Sequence, residues 1–323
     1  MRRMLDHFIY QTPYAALWLA TGLALLTSLF FLSANVWLPS ELPQFFDSQA
    51  QLLGQVLLMT LMPSYVLGMS IVAQRRSLRS ARKLQASGLI KDHPDNWLRP
   101  IPTVKAGIGV LLGLLYAITV NLPTEWVLRL TDIDFQEGSI VAGQSLVWIS
   151  CGVALAFRFH SATLFNEQGR TVAIDIYDSS KLEPFARNGV DDVLLITGAI
   201  ALTAIQALDA QFRLGNFLAA LLVALPAAVY LLIRPMWAVH LRLSQQKREF
   251  IDDINLQIAR LRAAAAPIPE LELLLQHRDR LKHTYTWPMD LAIVYRLLFY
   301  VVIPPLAWLG AALMETAVQG SLK

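Results

Sequence analysis

Residues 52–83 of the chain read LLGQVLLMTLMPSYVLGMSIVAQRRSLRSARK. The first 22 of these residues are mostly apolar, and five Lys and Arg follow within nine positions, from Arg75 to Lys83. A membrane helix needs about 20 mostly apolar residues, and Lys and Arg accumulate in the loops that stay in the cytoplasm. This stretch therefore predicts both a membrane span and the side of the membrane on which the span ends.

The composition of the whole chain agrees with that prediction. Of its 323 residues, 55% are hydrophobic and 16% are charged, and the mean hydropathy is +0.46. A soluble domain is roughly 45–50% apolar and about a quarter charged. Cys151 is the sole cysteine, which excludes an intrachain disulfide and a cysteine-based metal site. We therefore predict an all-α, polytopic helical membrane protein.

Seven apolar blocks are long enough, or nearly so, to form membrane helices. They cover residues 14–33, 52–73, 106–121, 140–157, 192–208, 214–233 and 291–314. In the third block, Gly109 and Gly113 have the GxxxG spacing that permits two helices to approach closely. The chain thus divides into a membrane domain with six spans over 1–235, a polar segment over 236–288, and a seventh span with the carboxyl terminus over 289–323.

The distribution of basic residues predicts the orientation of these blocks. With the amino terminus in the cytoplasm, 23 of the 27 Lys and Arg lie in inner segments, three lie in outer segments and one, Arg296, lies within a span. This asymmetry predicts seven crossings with the carboxyl terminus outside, in the inner (plasma) membrane of a bacterium. It also explains the sequence pI of about 9.0 without a nucleic-acid partner.

The basic cluster after the second block has two possible uses. It consists of Arg75, Arg76, Arg79, Arg82 and Lys83. Such clusters orient a membrane protein during insertion, and they also attract anionic lipid head groups. Insertion requires the cluster in any case, so an anionic lipid partner is the additional prediction.

The polar segment over 236–288 has helical periodicity on both sides of a proline turn. Pro267 and Pro269 separate two stretches in which apolar residues recur at spacings typical of one helix face. These residues are Leu243, Phe250, Ile254, Ile258, Leu261, Leu271, Leu274 and Leu281. We predict a cytoplasmic antiparallel helical hairpin. Its apolar face meets either the other cytoplasmic loops or, as an assembly surface, a neighbouring copy of the chain.

The inner loop over 161–189 also carries apolar residues, including Ile174, Ile176 and Leu182. Two placements would cover them. The loop either lies against the inner leaflet of the membrane or docks beneath the hairpin.

Motifs that would indicate an enzyme do not occur. The sequence contains no GxxxxGK[ST] phosphate loop, no HExxH zinc pair and no GxSxG nucleophile turn. The six histidines do not group with carboxylates at the spacing of metal ligands. We therefore predict neither catalysis nor a cofactor nor a metal centre.

Ionisable residues within the spans are few, and each is a functional hypothesis by default. Arg158 and Arg234 lie at inner ends of spans, where a long basic side chain is expected to reach the head groups. Asp191 and Asp192 lie at an inner end as well, and Arg296 alone lies deeper.

The seventh block differs most from an ordinary membrane helix. It contains Pro304 and Pro305 near its middle, where freed backbone carbonyls are tolerated only against protein or water. This predicts that the seventh span faces the protein interior or a subunit axis. The candidate pore or gating residues are Asp290, Tyr295, Arg296, Tyr300, Pro304 and Pro305.

The predicted layout is similar to that of the insect odorant and gustatory receptor channels. Those proteins share seven spans, an inner amino terminus, a cytoplasmic extension before the last span and a pore lined by that span. The resemblance covers topology over most of the chain and no sequence motif, and it implies an oligomeric channel. Two alternatives stay open: a non-conducting sensor or scaffold whose hairpin and 161–189 loop bind a partner, and a transporter of an apolar or amphiphilic substrate.

Overall fold

The computed structural model describes residues 12, 14–34, 36, 53–99, 101–121, 135–177, 179–208, 214–264, 268–289, 295 and 299. These residues form helices and connecting turns, with no β-strand among them, so the all-helical prediction is confirmed. The α-helices are α1 (Ala15–Ser33), α2 (Leu53–Ala86), α3 (Pro94–Trp97), α4 (Thr103–Tyr116), α5 (Phe135–Gly169), α6 (Glu183–Leu202), α7 (Leu214–Ala263) and α8 (Ile268–His283). A π-helical turn, Ala117–Asn121, extends α4, and 3-10 turns flank α6 at Ser179–Leu182 and Thr203–Leu208.

Within the described residues, five helices are long and apolar enough to cross a membrane. They cover Ala15–Ser33, Leu53–Ala86, Phe135–Gly169, Glu183–Gln206 and Ala220–Ala263. The third predicted block falls on a shorter apolar helix, Thr103–Thr119, and the seventh, 291–314, falls outside the described residues apart from Tyr295 and Phe299. Several long apolar helices are compatible with an integral membrane protein.

Side-chain contacts show which helices run parallel. Along α2 and α6 the pairing order is reversed, because Tyr65 contacts Leu195 whereas Ser77 contacts Asn188. Equivalent reversals relate α1 to α2 and α4 to α5, whereas α5 runs parallel to both α2 and α7. Helices α2, α5 and α7 therefore run one way, and α1, α4 and α6 run the other, as successive crossings of a membrane would require.

Small residues determine how closely α4 approaches α5. A Cβ atom added to Gly109 would lie 2.6 Å from the Gly152 carbonyl oxygen, and one added to Gly113 would overlap the backbone of Trp148. No side chain other than hydrogen fits at either position. The GxxxG spacing of the third block thus allows direct backbone contact between two helices, as expected for such spacing in membranes.

Three of the helices continue well past their apolar blocks at one end of the bundle. Leu84 lies 31 residues beyond Leu53 on α2, or about 46 Å along the axis, whereas the hydrocarbon core is about 30 Å thick. Around Leu84 the described residues form a second hydrophobic core, here called the basal cluster. Its buried members include Leu84, Trp97, Phe165, Phe185, Val239, Leu243, Ile254, Ile258 and Leu281.

Helix α7 runs without interruption from a buried cluster between the apolar helices, which includes Ala227 and Leu231, to the basal cluster. It contains 50 residues, and its distal half packs on α8 in the opposite direction. The Lys247 ammonium donates to the Lys282 and Thr284 carbonyl oxygens at 2.6 and 2.8 Å, and Arg278 contacts Asn255 farther along. The apolar sides of both helices face the basal cluster.

The segment after α5 docks on the chain's own helices. Helix α5 itself continues to Gly169, and Val172, Ile176 and Leu182 are buried in the basal cluster beside residues of α7. The Arg242 guanidinium also donates to the Val172 carbonyl oxygen at 2.5 Å. Of the two placements expected for the 161–189 loop, the structure shows the docked one.

Candidate functional site

A buried ion pair joins α5 to α6. The Arg158 Nε atom lies 2.5 Å from Asp192 Oδ1, and the two side chains are 1% and 0% exposed. Isolated charges are almost never buried because removal from water costs several kcal/mol per ion. The pair therefore persists only because each charge is neutralised by the other and held in place by further hydrogen bonds.

Helix α2 provides those further hydrogen bonds to the guanidinium. Arg158 Nη2 donates to the Ser77 hydroxyl at 2.9 Å, and Nη1 donates to Gln74 Oε1 at 3.2 Å. The Ser77 hydroxyl in turn donates to Asn188 Oδ1 at 2.6 Å. Ser77, Asn188, Arg158 and Asp192 thus form one buried polar network across three helices.

A second ion pair lies one residue away on α6. Arg76 Nη1 contacts Asp191 Oδ1 at 2.6 Å, with side chains 45% and 10% exposed. Partial exposure lets water screen this pair, so the removal of one partner costs less here than it does in a buried pair. The adjacent carboxylates Asp191 and Asp192 thus have different environments.

The buried network closes one end of a narrow apolar cavity between α2, α5, α6 and α7. The cavity has a volume of about 100 Å³, and both Arg158 and Asp192 line it. The other lining residues with polar groups are Gln144, Trp148, Cys151, Thr203 and Gln206. Gln144 precedes Arg158 by 14 residues on α5, or about 21 Å. The cavity is therefore polar at both ends and mostly apolar between them, with Met62, Val66, Val147, Ala154 and Ile196 among its walls.

Two atoms of the network lack hydrogen-bond partners within the described residues. They are Asp192 Oδ2 and Asn188 Nδ2, both fully buried. A buried polar atom without a partner costs about 1–3 kcal/mol, so such atoms are commonly satisfied by a ligand or water. Asp192 also lines the cavity, so the network places a buried acceptor without a partner in the cavity wall.

The hydrogen-bonding state of the two charged side chains determines which charges the cavity can recognise. Arg158 already contacts acceptors through all three guanidinium nitrogens, whereas Asp192 retains one free acceptor. A cationic or hydrogen-bond-donating group would therefore be bound more readily than an anion. No group of three or more His, Cys, Asp or Glu side chains suited to a metal ion occurs in the described part of the chain.

The predicted pore residues lie almost entirely beyond the described ranges. Asp290, Arg296, Tyr300, Pro304 and Pro305 are outside them, and Tyr295 has an exposed side chain. Their grouping into a pore or gate stays a prediction.

The predicted assembly face is largely covered by the chain itself. Leu243, Ile254, Ile258 and Leu281 are buried in the basal cluster, where Leu271 and Leu274 also pack. Leu261 is half-buried, and Phe250 is 44% exposed. Other residues of the same chain thus cover most of this face.

The sequence-based expectation for Arg158 was wrong. Its side chain points into the bundle rather than towards head groups, because Asp192 and Ser77 offer it stronger partners than the membrane surface does. A usable signal was present on α5. Ala154 and Ala162, four residues before and after Arg158, are both small and buried, which identifies that face as a packing face. Asn188 and Asp192, also four apart, carry the complementary polar groups on α6.

No protein-family model matches the chain, no curated protein matches it, and no solved structure matches it.

Proposed function

We propose that this chain is a plasma-membrane transporter of a slender amphiphile with a cationic head group, bound in the cavity that ends at Arg158 and Asp192. The observation that carries the proposal is a buried carboxylate with one unpartnered oxygen at the end of an apolar cavity. Apolar walls with a few converging polar groups are typical of small-molecule sites.

The proposal includes the membrane topology expected from the charge distribution. Seven crossings place the amino terminus and the basal cluster in the cytoplasm of a bacterial cell, with α7 and α8 as a cytoplasmic hairpin. The alternating helix directions and the excess of Lys and Arg at one end of the bundle support this orientation. The cavity then lies within the membrane, with Asp192 near the cytoplasmic side.

The dimensions of the cavity limit the substrate. Sites for drug-sized ligands occupy about 300–1,000 Å³, whereas this cavity has about 100 Å³. A single narrow apolar chain matches its elongated form, and a primary or quaternary ammonium head matches Asp192. The primary ammonium would donate a charge-assisted hydrogen bond to Oδ2, which is stronger than a bond between neutral groups.

Binding of a matched series of amphiphiles tests the proposal. The purified chain in neutral nanodiscs is titrated with alkyl amines, alcohols and carboxylates of one chain length, and binding is followed by intrinsic tryptophan fluorescence. We expect the amine to bind at least tenfold more tightly than the carboxylate, since charged hydrogen bonds contribute about 1.5–3 kcal/mol. Equal affinity for all three head groups would contradict the proposed role of Asp192.

A substitution that fills the cavity provides an independent test. Ala154 lines the cavity, so Ala154→Leu should abolish amine binding without removing any charge. Ala142 lies on the same helix but is exposed, so Ala142→Leu is the matched control and should bind as the wild type does. Uptake of the labelled amine into proteoliposomes should respond to the two substitutions in the same way.

An oligomeric channel is the second candidate, and one observation favours it. A cavity that is polar at both ends and apolar in the middle has the form of a hydrophobic gate, which closes by excluding water. In this proposal the seventh span lines the conduction path and Phe250 contributes to assembly. Ion flux in liposomes distinguishes the candidates, because Arg296→Ala and Pro304→Ala should alter flux in a channel, and a transporter of amphiphiles should conduct no ions.

A further inference from the structure

A second pocket lies at the basal side of the bundle, between α2 and α6. Its volume is about 410 Å³, and it is lined by Arg76, Arg79, Ser80, Lys83, Arg187 and Asp191. Arg76 is 23 residues beyond Leu53 on α2, or about 35 Å along the axis. The hydrocarbon core is about 30 Å thick, so the pocket begins at the depth of the lipid head groups.

The pocket has an excess of positive charge that its own residues do not neutralise. Four of its side chains are cationic and one is a carboxylate, which gives a formal charge of +3. Arg76, Arg79 and Lys83 are three, four or seven residues apart on α2, so they are neighbours on one face of the helix and repel one another. Arg187 faces them from α6. A bound anion would remove this repulsion.

The hydrogen-bonding capacity of the pocket is also only partly used. The Arg76 guanidinium binds Asp191 at 2.6 Å. Arg187 lies 4.0 Å from Glu183, with both side chains more than half exposed, which is a weak interaction. Arg79 and Lys83 are exposed. The guanidinium groups of Arg79 and Arg187 are therefore positioned on opposite walls with donors to offer to one ligand.

We propose that this pocket binds a phosphate group, presented either by an anionic phospholipid head group or by a soluble phosphate ester. Two arginines can bind phosphate oxygens in the bidentate geometry that guanidinium favours, and Lys83 adds a point charge. Membrane insertion accounts for the number of basic residues on the cytoplasmic side. It does not account for the convergence of Arg187 on the basic face of α2, which anion binding explains.

Titration of the full-length chain in neutral detergent tests the site. The probes are a short-chain phosphatidylglycerol, a short-chain phosphatidylcholine with no net charge, and inorganic phosphate. The dissociation constant is measured for the wild type, Arg79→Gln, Arg187→Gln and Arg82→Gln. Arg82 is the matched control because it is exposed on α2 but does not line the pocket.

Saturable binding of phosphatidylglycerol should weaken about tenfold in Arg79→Gln and in Arg187→Gln, since each loses a charge-assisted hydrogen bond. Arg82→Gln should bind as the wild type does. Asp191→Asn removes the pocket's one negative charge and should strengthen binding, a gain that misfolding could not produce. If inorganic phosphate binds with the same dependence on these substitutions, the source is a soluble phosphate ester, and otherwise it is the lipid.

Two results would overturn the proposal. One is that neither phosphatidylglycerol nor inorganic phosphate binds saturably. The other is equal weakening by Arg82→Gln and Arg187→Gln, which would indicate attraction to a diffuse basic surface rather than to a built site. The outcome is independent of transport, because neither Arg79 nor Arg187 lines the cavity that ends at Asp192.

Discussion

Removal of the Asp192 charge should destabilise this fold more than removal of the Asp191 charge beside it. In Asp192→Asn the Arg158 guanidinium, 1% exposed, is left without its counter-charge. Breaking a buried pair in this way typically costs about 3–5 kcal/mol. In Asp191→Asn the lost pair is partly exposed, and such pairs contribute about 0–1 kcal/mol. The expected difference between the two variants is therefore about 3 kcal/mol.

A double replacement separates the charge from the packing around it. Arg158→Met with Asp192→Leu removes both ions, a change that is often neutral or stabilising by about 1–4 kcal/mol. Ser77 loses the hydrogen bond from Arg158 but keeps its own hydrogen bond to Asn188 Oδ1 at 2.6 Å, so its hydroxyl stays satisfied. The double variant should therefore recover most of the stability that Asp192→Asn loses.

The free energy of unfolding is measured by reversible unfolding in mixed micelles of a mild detergent and dodecyl sulfate, followed by tryptophan fluorescence. It is compared under one set of conditions for the wild type, Asp191→Asn, Asp192→Asn and the double variant. Similar losses for Asp191→Asn and Asp192→Asn would refute the conclusion that the ion pair joins α5 and α6. A double variant less stable than Asp192→Asn would show that the two side chains act through packing rather than charge.

Three further predictions concern the helix contacts and the topology. Gly113→Ala should destabilise the protein by about 1–3 kcal/mol through overpacking against Trp148. Gly107 has open space around it, so Gly107→Ala should stabilise α4 by up to about 1 kcal/mol. Thermal unfolding compares the two variants, and equal shifts in melting temperature would contradict close α4–α5 packing. Leu281→Ala should lower the free energy of unfolding by about 2–5 kcal/mol because Leu281 is 1% exposed in the basal cluster. Leu273 is 69% exposed, so Leu273→Ala is the control and should change that free energy by at most about 0.5 kcal/mol in the same melting experiment. In a Cys151→Ala background, a membrane-impermeant thiol reagent added to intact cells should label Glu137→Cys but not Ser87→Cys, since these residues are at opposite ends of parallel helices; the reverse pattern would invert the proposed orientation.

The sequence predicts the apolar part of each helix better than its full length. The first block, 14–33, nearly coincides with Ala15–Ser33, whereas the block over 140–157 is the middle of Phe135–Gly169. Hydropathy reports where a helix is surrounded by lipid, and it does not report where backbone hydrogen bonding stops. Beyond the apolar block, α5 continues because one of its faces packs in the basal cluster.

The candidate site could be predicted only in part. The positions of Arg158 and Asp192 at the ends of apolar blocks suggest exposure to head groups. The small residues Ala154 and Ala162 on the same face as Arg158 indicate packing there, but they do not identify the partner. Arg158 and Asp192 meet because α5 and α6 both contact α2 at Ser77. Arg158 is 81 positions from Ser77 in the sequence and 34 positions from Asp192. Periodicity identifies the packing face of each helix, whereas the choice of opposing helix depends on how several faces fit together.

Helix α7 is long, and its two prolines determine where it can bend. Its 50 residues form a rod about 75 Å long, and Pro226 and Pro235 within it each remove a backbone hydrogen bond and concentrate bending at their positions. The 28 residues from Pro235 to Ala263 measure about 42 Å, so a rotation of about 5° at Pro235 moves the far end by about 4 Å. Any bending at Pro235 is therefore multiplied along the distal half of α7, which contributes Leu243, Ile254 and Ile258 to the basal cluster.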